Sequence, residues 1–259
     1  MDAQTSPPRE LLENPAMRRI LLVRHGETFQ NRKHIVQGMD PTWGRLTPEG
    51  IRQAQLLAET LVDVPLDIAY CSPLERAVLT MSMLLVPRGG ERTVPLVFAD
   101  DLREINQGVL HGASHAEWKA AMEGHDPMAW HAVDGESWLS VQARVTEYLQ
   151  QVILPAGHRN VLIVAHGGVN RGLLASLTGI SMGQAWKGAG EGCPQDNTCL
   201  NDLVVDANGK LHWARVNNAE HLMAPFGVGS PGQLWLGEGA GWEVLGEARG
   251  KLAEFDPYG

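Results

Sequence analysis

Residues 18–28 read Arg18-Arg19-Ile20-Leu21-Leu22-Val23-Arg24-His25-Gly26-Glu27-Thr28. The run Ile20 to Val23 is apolar without interruption, then stops at a cation, an imidazole and a glycine. A short unbroken apolar run predicts a strand buried on both faces of a parallel sheet, since a half-exposed strand would alternate. The pattern recurs at Asn160-Val161-Leu162-Ile163-Val164-Ala165, which leads straight into His166-Gly167-Gly168 and a helix. In open α/β sheets ligands bind beyond the carboxyl ends of the strands. Two imidazoles delivered to that edge are therefore the place to look for chemistry.

The neighbouring segments build the same architecture. Thr47-Pro48-Glu49-Gly50 predicts a helix start with Thr47 as N-cap and Pro48 in the first turn. Ile51, Ala54, Leu57, Ala58 and Leu61 then form the apolar stripe of a surface helix. Ile68–Cys71 is a second strand, ended by Ser72-Pro73 and followed by a helix carrying Ala77, Val78, Met81, Leu84 and Leu85. Val94 to Phe98 is a third strand. A helical insert is expected at Ser114 to Met122, and a further helix from Gly135-Glu136-Ser137 to roughly Leu154. Cys199 to Val205 and Leu211 to Val216 flank Asn208-Gly209 and predict a hairpin. Strands alternating with helices imply a three-layer α/β/α sandwich with a mainly parallel central sheet. Residues 1–17 are expected to be a flexible leader. Residues 18–222 are read as one domain with a helical insert at about 105–134, and residues 223–259 as a glycine-rich extension with isolated Trp235 and Trp242.

The 259 residues, 44% hydrophobic and 20% charged, fit one large globular α/β domain and not a disordered chain. A formal net charge of −9 argues against nucleic acid or an anionic membrane as the partner, yet leaves room for a local positive pocket. Cys71, Cys193 and Cys199 form no even-numbered framework and no Cys-x-x-Cys pair, so buried thiols in a reducing cytoplasm are expected. Residues 1–17 carry no apolar signal-peptide core, and no apolar run approaches the roughly 20 residues of a membrane span.

The inventory around the histidines favours an anion. Arg24 precedes His25, and Arg76 lies just after the second strand in Ser72-Pro73-Leu74-Glu75-Arg76-Ala77. Arginine offers forked donors that match phosphate oxygens. Asn31 adds a neutral donor, and the backbone at Gly26 and Gly167 can approach a ligand closely. A phosphoryl group fits this set better than a neutral ligand does. A neutral imidazole is a competent nucleophile when its other nitrogen is held by an acceptor. Glu104, following the third strand, is the candidate acid; the alternative is a surface pair with Arg103.

These segments together resemble the histidine phosphatase superfamily, in the branch of cofactor-dependent phosphoglycerate mutases and related phosphatases. The resemblance rests on Leu22 to Thr28 with Asn31, Gln37-Gly38, Leu46 to Ala54, Ser72 to Ala77, Leu102-Arg103-Glu104-Ile105, Gly135-Glu136-Ser137 with Arg144, Ala165-His166-Gly167, Asn197-Thr198 and Asn217 to Leu222. It spans roughly Arg19 to Leu222 and implies a phosphoglycerate mutase-like fold. It implies His25 as the nucleophile that becomes phosphohistidine, with Arg24, Arg76 and His166 forming the phosphate pocket and Asn31 and Gly167 assisting. Glu104 would protonate the leaving oxygen and then help activate water. No metal and no cofactor is implied, and the partner is a small phosphorylated metabolite; oligomerisation is left open.

A mutase of this family carries a long proline-rich insert over the site. Here only Ile105 to Asp134 separate the acid from Gly135, without a proline cluster, and Gln37-Gly38 is similar to the phosphatase branch. Hydrolysis of small phosphomonoesters is the favoured reading. Mutase-type transfer is the alternative, and a non-catalytic phosphate-binding scaffold ranks below both because every expected site residue is in place. The segment Pro41-Thr42-Trp43-Gly44-Arg45 is longer than in relatives, and Leu110-His111-Gly112 stands where many carry Trp-Glu before glycine. Gln37, Gly38, Trp43, His111 and Trp118 are accordingly the specificity candidates, with His111 on its own reading as structural. Glu136 and Arg144 are expected to act structurally, orienting or neutralising buried partners without reacting, and the cysteines to be inert.

Overall fold

A computed structural model of the chain describes residues 6–40, 43–88, 94–187, 192–235 and 243–244. The expected entrance residues Pro41 and Thr42 and the tail tryptophan Trp242 lie outside the described residues. The elements in chain order are α1 (Arg9–Glu13), β1 (Met17–Arg24), α2 (Phe29–Arg32), α3 (Pro48–Leu61), β2 (Ile68–Cys71), α4 (Glu75–Leu85), β3 (Leu96–Phe98) and α5 (His115–Met122). There follow α6 (Trp138–Tyr148), β4 (Asn160–Ala165), α7 (Gly167–Thr178), α8 (Met182–Ala185), β5 (Leu200–Asp206), β6 (Leu211–Asn218), α9 (Met223–Phe226), β7 (Pro231–Trp235) and β8 (Glu243–Val244).

The helix starts follow from local capping chemistry. Thr47 accepts from the Gly50 amide at α3, Ser114 from Glu117 at α5 and Ser137 from Ser140 at α6, each satisfying a first-turn donor. The sheet order is β3-β2-β4-β1-β5-β6-β7-β8. The block β3-β2-β4-β1 is parallel throughout, and the remaining pairings from β1·β5 onward are antiparallel.

The unbroken apolar run of β1 has a direct structural cause. Ile20 and Leu22 enter one core with Val141 and Val145 of α6 and Leu173 of α7. Leu21 and Val23 enter the opposite core with Leu57 and Leu61 of α3 and Met81 of α4. Successive side chains alternate across the sheet, so covering both faces demands apolar residues at every position.

Two terminal regions differ from their sequence reading. Within the expected flexible leader, Arg9–Glu13 is helical, and Leu11, Leu12 and Met17 pack against Val204, Trp213 and Leu234. The short apolar pair Leu11-Leu12 finds a partner that only the folded sheet creates. The tail contributes β7, which pairs with β6 although it opens with Pro231-Gly232. Proline and glycine are depleted in strands, so local propensity conceals this element.

Candidate active site

Strands β1 and β4 run side by side in parallel, with Val23 opposite Val164 and Arg24 opposite Ala165. The ladder continues one residue past the strands, where His25 N donates to Ala165 O (3.1 Å) and Ser72 N to Val164 O (3.0 Å). Three strand ends thus deliver His25, His166 and Ser72 to one rim. The rings of His25 and His166 lie 5.2 Å apart at 59°, and both residues are buried.

The two imidazoles hold different tautomers. Nδ1 of His25 lies 2.8 Å from Gly26 O, and a carbonyl only accepts, so Nδ1 carries the proton. Its Nε2 keeps the lone pair and has no hydrogen-bond partner among the described residues. At His166, Arg76 Nε donates to Nδ1 (3.2 Å), which places the proton on Nε2, where it is donated to Ser72 Oγ (2.8 Å). Both pKa values lie well below the ordinary 6.5. Burial is the main cause, followed at each ring by the Arg76 cation. Both rings are therefore neutral near pH 7.

Arg76 sits in the first turn of α4 and is 1% exposed. Besides His166 it donates to Trp43 O (3.2 Å) and Gly38 O (3.1 Å). A guanidinium has five N–H bonds, so two remain for a ligand. Burial pushes its pKa down to about 10, and it stays charged at neutral pH. Arg24 Nη1 donates to Gln195 O at 2.5 Å, which turns this second cation toward the same rim.

The backbone around the nucleophile candidate is tightly held. Asn197 Nδ2 and Thr198 N donate to His25 O at 3.1 and 3.3 Å. Thr198 is β-branched and has φ +56°, a conformation that costs energy and persists only when its surroundings enforce it. Gly26 packs so closely on α3 that a Cβ would lie 2.5 Å from Gly50 O. Asn31 Oδ1 caps Thr28 N (3.1 Å), leaving its amide nitrogen as the donor.

Glu104 bridges to α7. Its Oε2 accepts from Gly168 N (3.3 Å) and its Oε1 from Ile105 N (3.0 Å). A Cβ on Gly168 would fall 2.7 Å from Glu104 Oε1 and 2.2 Å from a Trp138 ring atom, so the carboxylate depends on this bare helix turn. Arg103 pairs with Asp100 (2.6 Å), and the alternative Glu104–Arg103 pair does not form.

Four of the five specificity candidates form one connected group above Arg76. Gln37 Oε1 accepts from Thr28 Oγ1 (3.1 Å), Gly38 N donates to His111 Nδ1 (3.1 Å), and Trp43 packs on His111 with centroids 4.5 Å apart. His111 is held below its usual pKa chiefly by burial, so it acts as an acceptor. Trp118 stands apart: it is buried in the insert, where its Nε1 donates to Gln107 Oε1 (3.0 Å). Arg144 forks onto Glu136 (3.2 and 3.1 Å), so the two residues expected to be structural are each other's partner. The three cysteines are free and buried, their thiols pushed up to about 12 by burial.

Sequence reasoning missed Ser72 and Gln195. Ser72 occupies the first position after β2, equivalent to His25 after β1, and that equivalence was the available signal. Gln195 acts through a backbone carbonyl, which leaves no signature in side-chain identity.

Residues 20–219 match the family model described as histidine phosphatase superfamily (branch 1). The chain is 35% identical over 170 residues to a 2,3-bisphosphoglycerate-dependent phosphoglycerate mutase of Cytophaga hutchinsonii, covering 62% of this chain and 78% of that protein. It is 30% identical over 211 residues to the adenosylcobalamin/alpha-ribazole phosphatase of Escherichia coli, covering 79% and 97%. The crystal structure of the alpha-ribazole phosphatase from Shigella flexneri superimposes with a TM-score of 0.65 at 28% identity, covering 74% of this chain and 93% of that one. The fold is that of the phosphoglycerate mutase-like histidine phosphatases.

Proposed function

The chain belongs to the histidine phosphatase superfamily, and from that premise we propose that it is a metal-independent phosphatase acting on small phosphomonoesters through a phosphohistidine on His25. One observation carries the reading. His25 is a buried, neutral imidazole whose Nδ1–H is fixed on Gly26 O, leaving the Nε2 lone pair open beside Arg76 and His166.

The steps follow from these roles. Arg24, Arg76, Asn31 and the Gly167 amide hold the phosphoryl oxygens and stabilise the charge that builds on them, and His166 joins them by passing its Nε2–H from Ser72 Oγ to an oxygen of the ligand. His25 Nε2 attacks phosphorus as the ester P–O bond breaks, and Glu104 gives a proton to the leaving oxygen, releasing an alcohol. Water then attacks the phosphohistidine while Glu104 takes back a proton. The P–N bond breaks, phosphate leaves and His25 returns to its neutral form. Gln37, Gly38, Trp43 and His111 shape the entrance. Residues 18–222 act as one catalytic unit, and three unpaired thiols suit a reducing compartment such as the cytoplasm.

Mutase-type transfer is the second reading, because the Cytophaga relative that bears that name is 35% identical over 170 residues. The deciding experiment supplies phosphomonoesters, with and without a chelator, and follows free phosphate and protein-bound phosphate. Phosphatase action predicts steady phosphate release that the chelator does not reduce, and an acid-labile, alkali-stable phosphoprotein absent from His25→Ala. Exchange between phosphoglycerate isomers that requires a bisphosphate primer, with little phosphate release, would establish the mutase instead.

A further inference from the structure

The segments Asn197-Thr198 and Asn217 to Leu222 take no step in the proposed chemistry, yet the fold brings them together beside the His25 backbone. Strand β6 ends at Asn218, and the chain then turns through Glu220–Leu222. Ala219 and Leu222 are buried there with Cys199, and Leu56 of α3 packs against them. The Ala219 amide donates to Ser230 O (2.8 Å), and Arg215 pairs with Glu220 (2.7 Å). Apolar contact, backbone and charge all pin the turn. Its cover over Cys199 sets it against the residues just before, Asp196 to Thr198.

Two side chains of the terminal segment grip that loop. Asn217 Oδ1 accepts from Asp196 N (2.7 Å), and His221 Nε2 lies 2.9 Å from Thr198 Oγ1. The Thr198 hydroxyl has one proton and donates it to Asn197 O at 2.7 Å, so it accepts from the Nε2–H of His221. Burial pushes the His221 pKa down to about 4, so the ring is neutral and spends its single N–H on this contact. Thr198 has φ +56°, where a β-branched residue stays only under constraint. His221 supplies such a constraint, through the one polar atom of the Thr198 side chain.

Thr198 in turn reaches the nucleophile. Its N–H and Asn197 Nδ2 both donate to His25 O, at 3.3 and 3.1 Å. The other end of the same peptide plane is fixed too, because Gly26 N donates to Thr80 Oγ1 (3.0 Å). The ring is tied to the next carbonyl along, with Nδ1 2.8 Å from Gly26 O. A shift of the His25–Gly26 peptide therefore carries the imidazole with it. We propose that His221 is a positioning residue for the nucleophile, acting through Thr198 to hold the His25 carbonyl and so aim Nε2 at phosphorus. In-line attack tolerates little error, since a misplacement of ~1 Å can cost about 10²-fold in rate. This rests on the phosphatase reading and deepens it.

The test uses the full chain and nitrophenyl phosphate. His221→Leu removes the donor and is expected to lower kcat about tenfold, while the inhibition constant of inorganic phosphate, set by Arg24 and Arg76, stays within about twofold. His221→Gln returns an N–H close to the place of Nε2 and is expected to recover most of the loss. Thr198→Val keeps the branched shape but not the hydroxyl, and its loss should match that of His221→Leu. The double variant should then be no slower than either single one, as two groups acting in series require. A second readout needs no turnover. Exchange of the His25 Nδ1 proton, assigned by its loss in His25→Ala, should quicken about tenfold in His221→Leu and Thr198→Val but not in His221→Gln. A folded His221→Leu with wild-type kcat, losses that multiply in the double variant, or unchanged exchange overturns the positioning role. If the leucine variant does not fold, Thr198→Val decides by the same measures. Wild-type protein that releases no nitrophenol overturns the phosphatase reading, and proton exchange alone then decides whether His221 holds the ring.

Discussion

Val23-Arg24-His25-Gly26 on β1 and Val164-Ala165-His166-Gly167 on β4 are near-copies in sequence and lie in register on adjacent strands. Their histidines nevertheless have opposite chemistry. His25 gives its Nδ1 proton to the next carbonyl along its own chain and keeps Nε2 open. His166 has Nδ1 taken by Arg76 and Nε2 bound to Ser72, contacts 90 and 94 residues away in sequence. The lesson is that neighbours decide which nitrogen of a strand-ending histidine stays open and which is engaged. Identity and spacing are the same in both.

The strongest way to break this contrast is to remove the open nitrogen. His25→Ala is expected to lower phosphate release by on the order of 10³-fold or more while circular dichroism stays unchanged. Activity within tenfold of wild type would transfer the nucleophile's role elsewhere. Next in size is Arg76→Lys. A point charge cannot hold His166, Gly38 O and Trp43 O together, and kcat/KM is expected to fall by about 10²-fold. A wild-type rate would show that the fork is dispensable.

Glu104→Gln sharpens the contrast from the leaving-group side. Alkyl phosphates should slow by about 10²-fold or more and nitrophenyl phosphate by only a few-fold, since its leaving oxygen needs little protonation. Equal losses on both substrates would remove Glu104 as the acid.

The contrast itself can be read without mutation. Nitrogen-15 NMR of the histidine rings at pH 6 is expected to show His25 protonated at Nδ1 and His166 at Nε2, both neutral. An imidazolium signal from either ring at that pH contradicts the geometry. The smallest effect is on stability. A histidine whose folded pKa is depressed binds its proton preferentially in the unfolded chain. Its contribution is therefore intact above pH 6.5 and is lost as pH falls below it. His25, His166 and His221, the last pushed down to about 4 by burial, all act in this direction. Each should steepen the loss by up to about 1.4 kcal/mol per pH unit between pH 6.5 and 5. Denaturant melts of His221→Gln should show a shallower slope than wild type over that range, and an identical slope would remove His221 from the set.

Elements governed by local chemistry were legible from the chain. The apolar run of β1, the Thr47 cap and the Asn208-Gly209 turn each express a rule that operates within a few residues. The convergence of Arg24, His25, Arg76 and His166 was legible because two strand ends carried the same signature. The helix Arg9–Glu13, the strand Pro231–Trp235 and the isolation of Trp118 in the insert were not, since each depends on a partner surface formed by remote residues.

By itself the sequence determined the layered α/β architecture, through the periodicity of its apolar residues, and the candidates for chemistry, through their places at strand ends. The tertiary structure alone decided which imidazole nitrogen is open, which cation holds His166 and which carboxylate meets the helix turn. Those properties are set by atoms within hydrogen-bonding distance, and such atoms come from segments that only folding brings together.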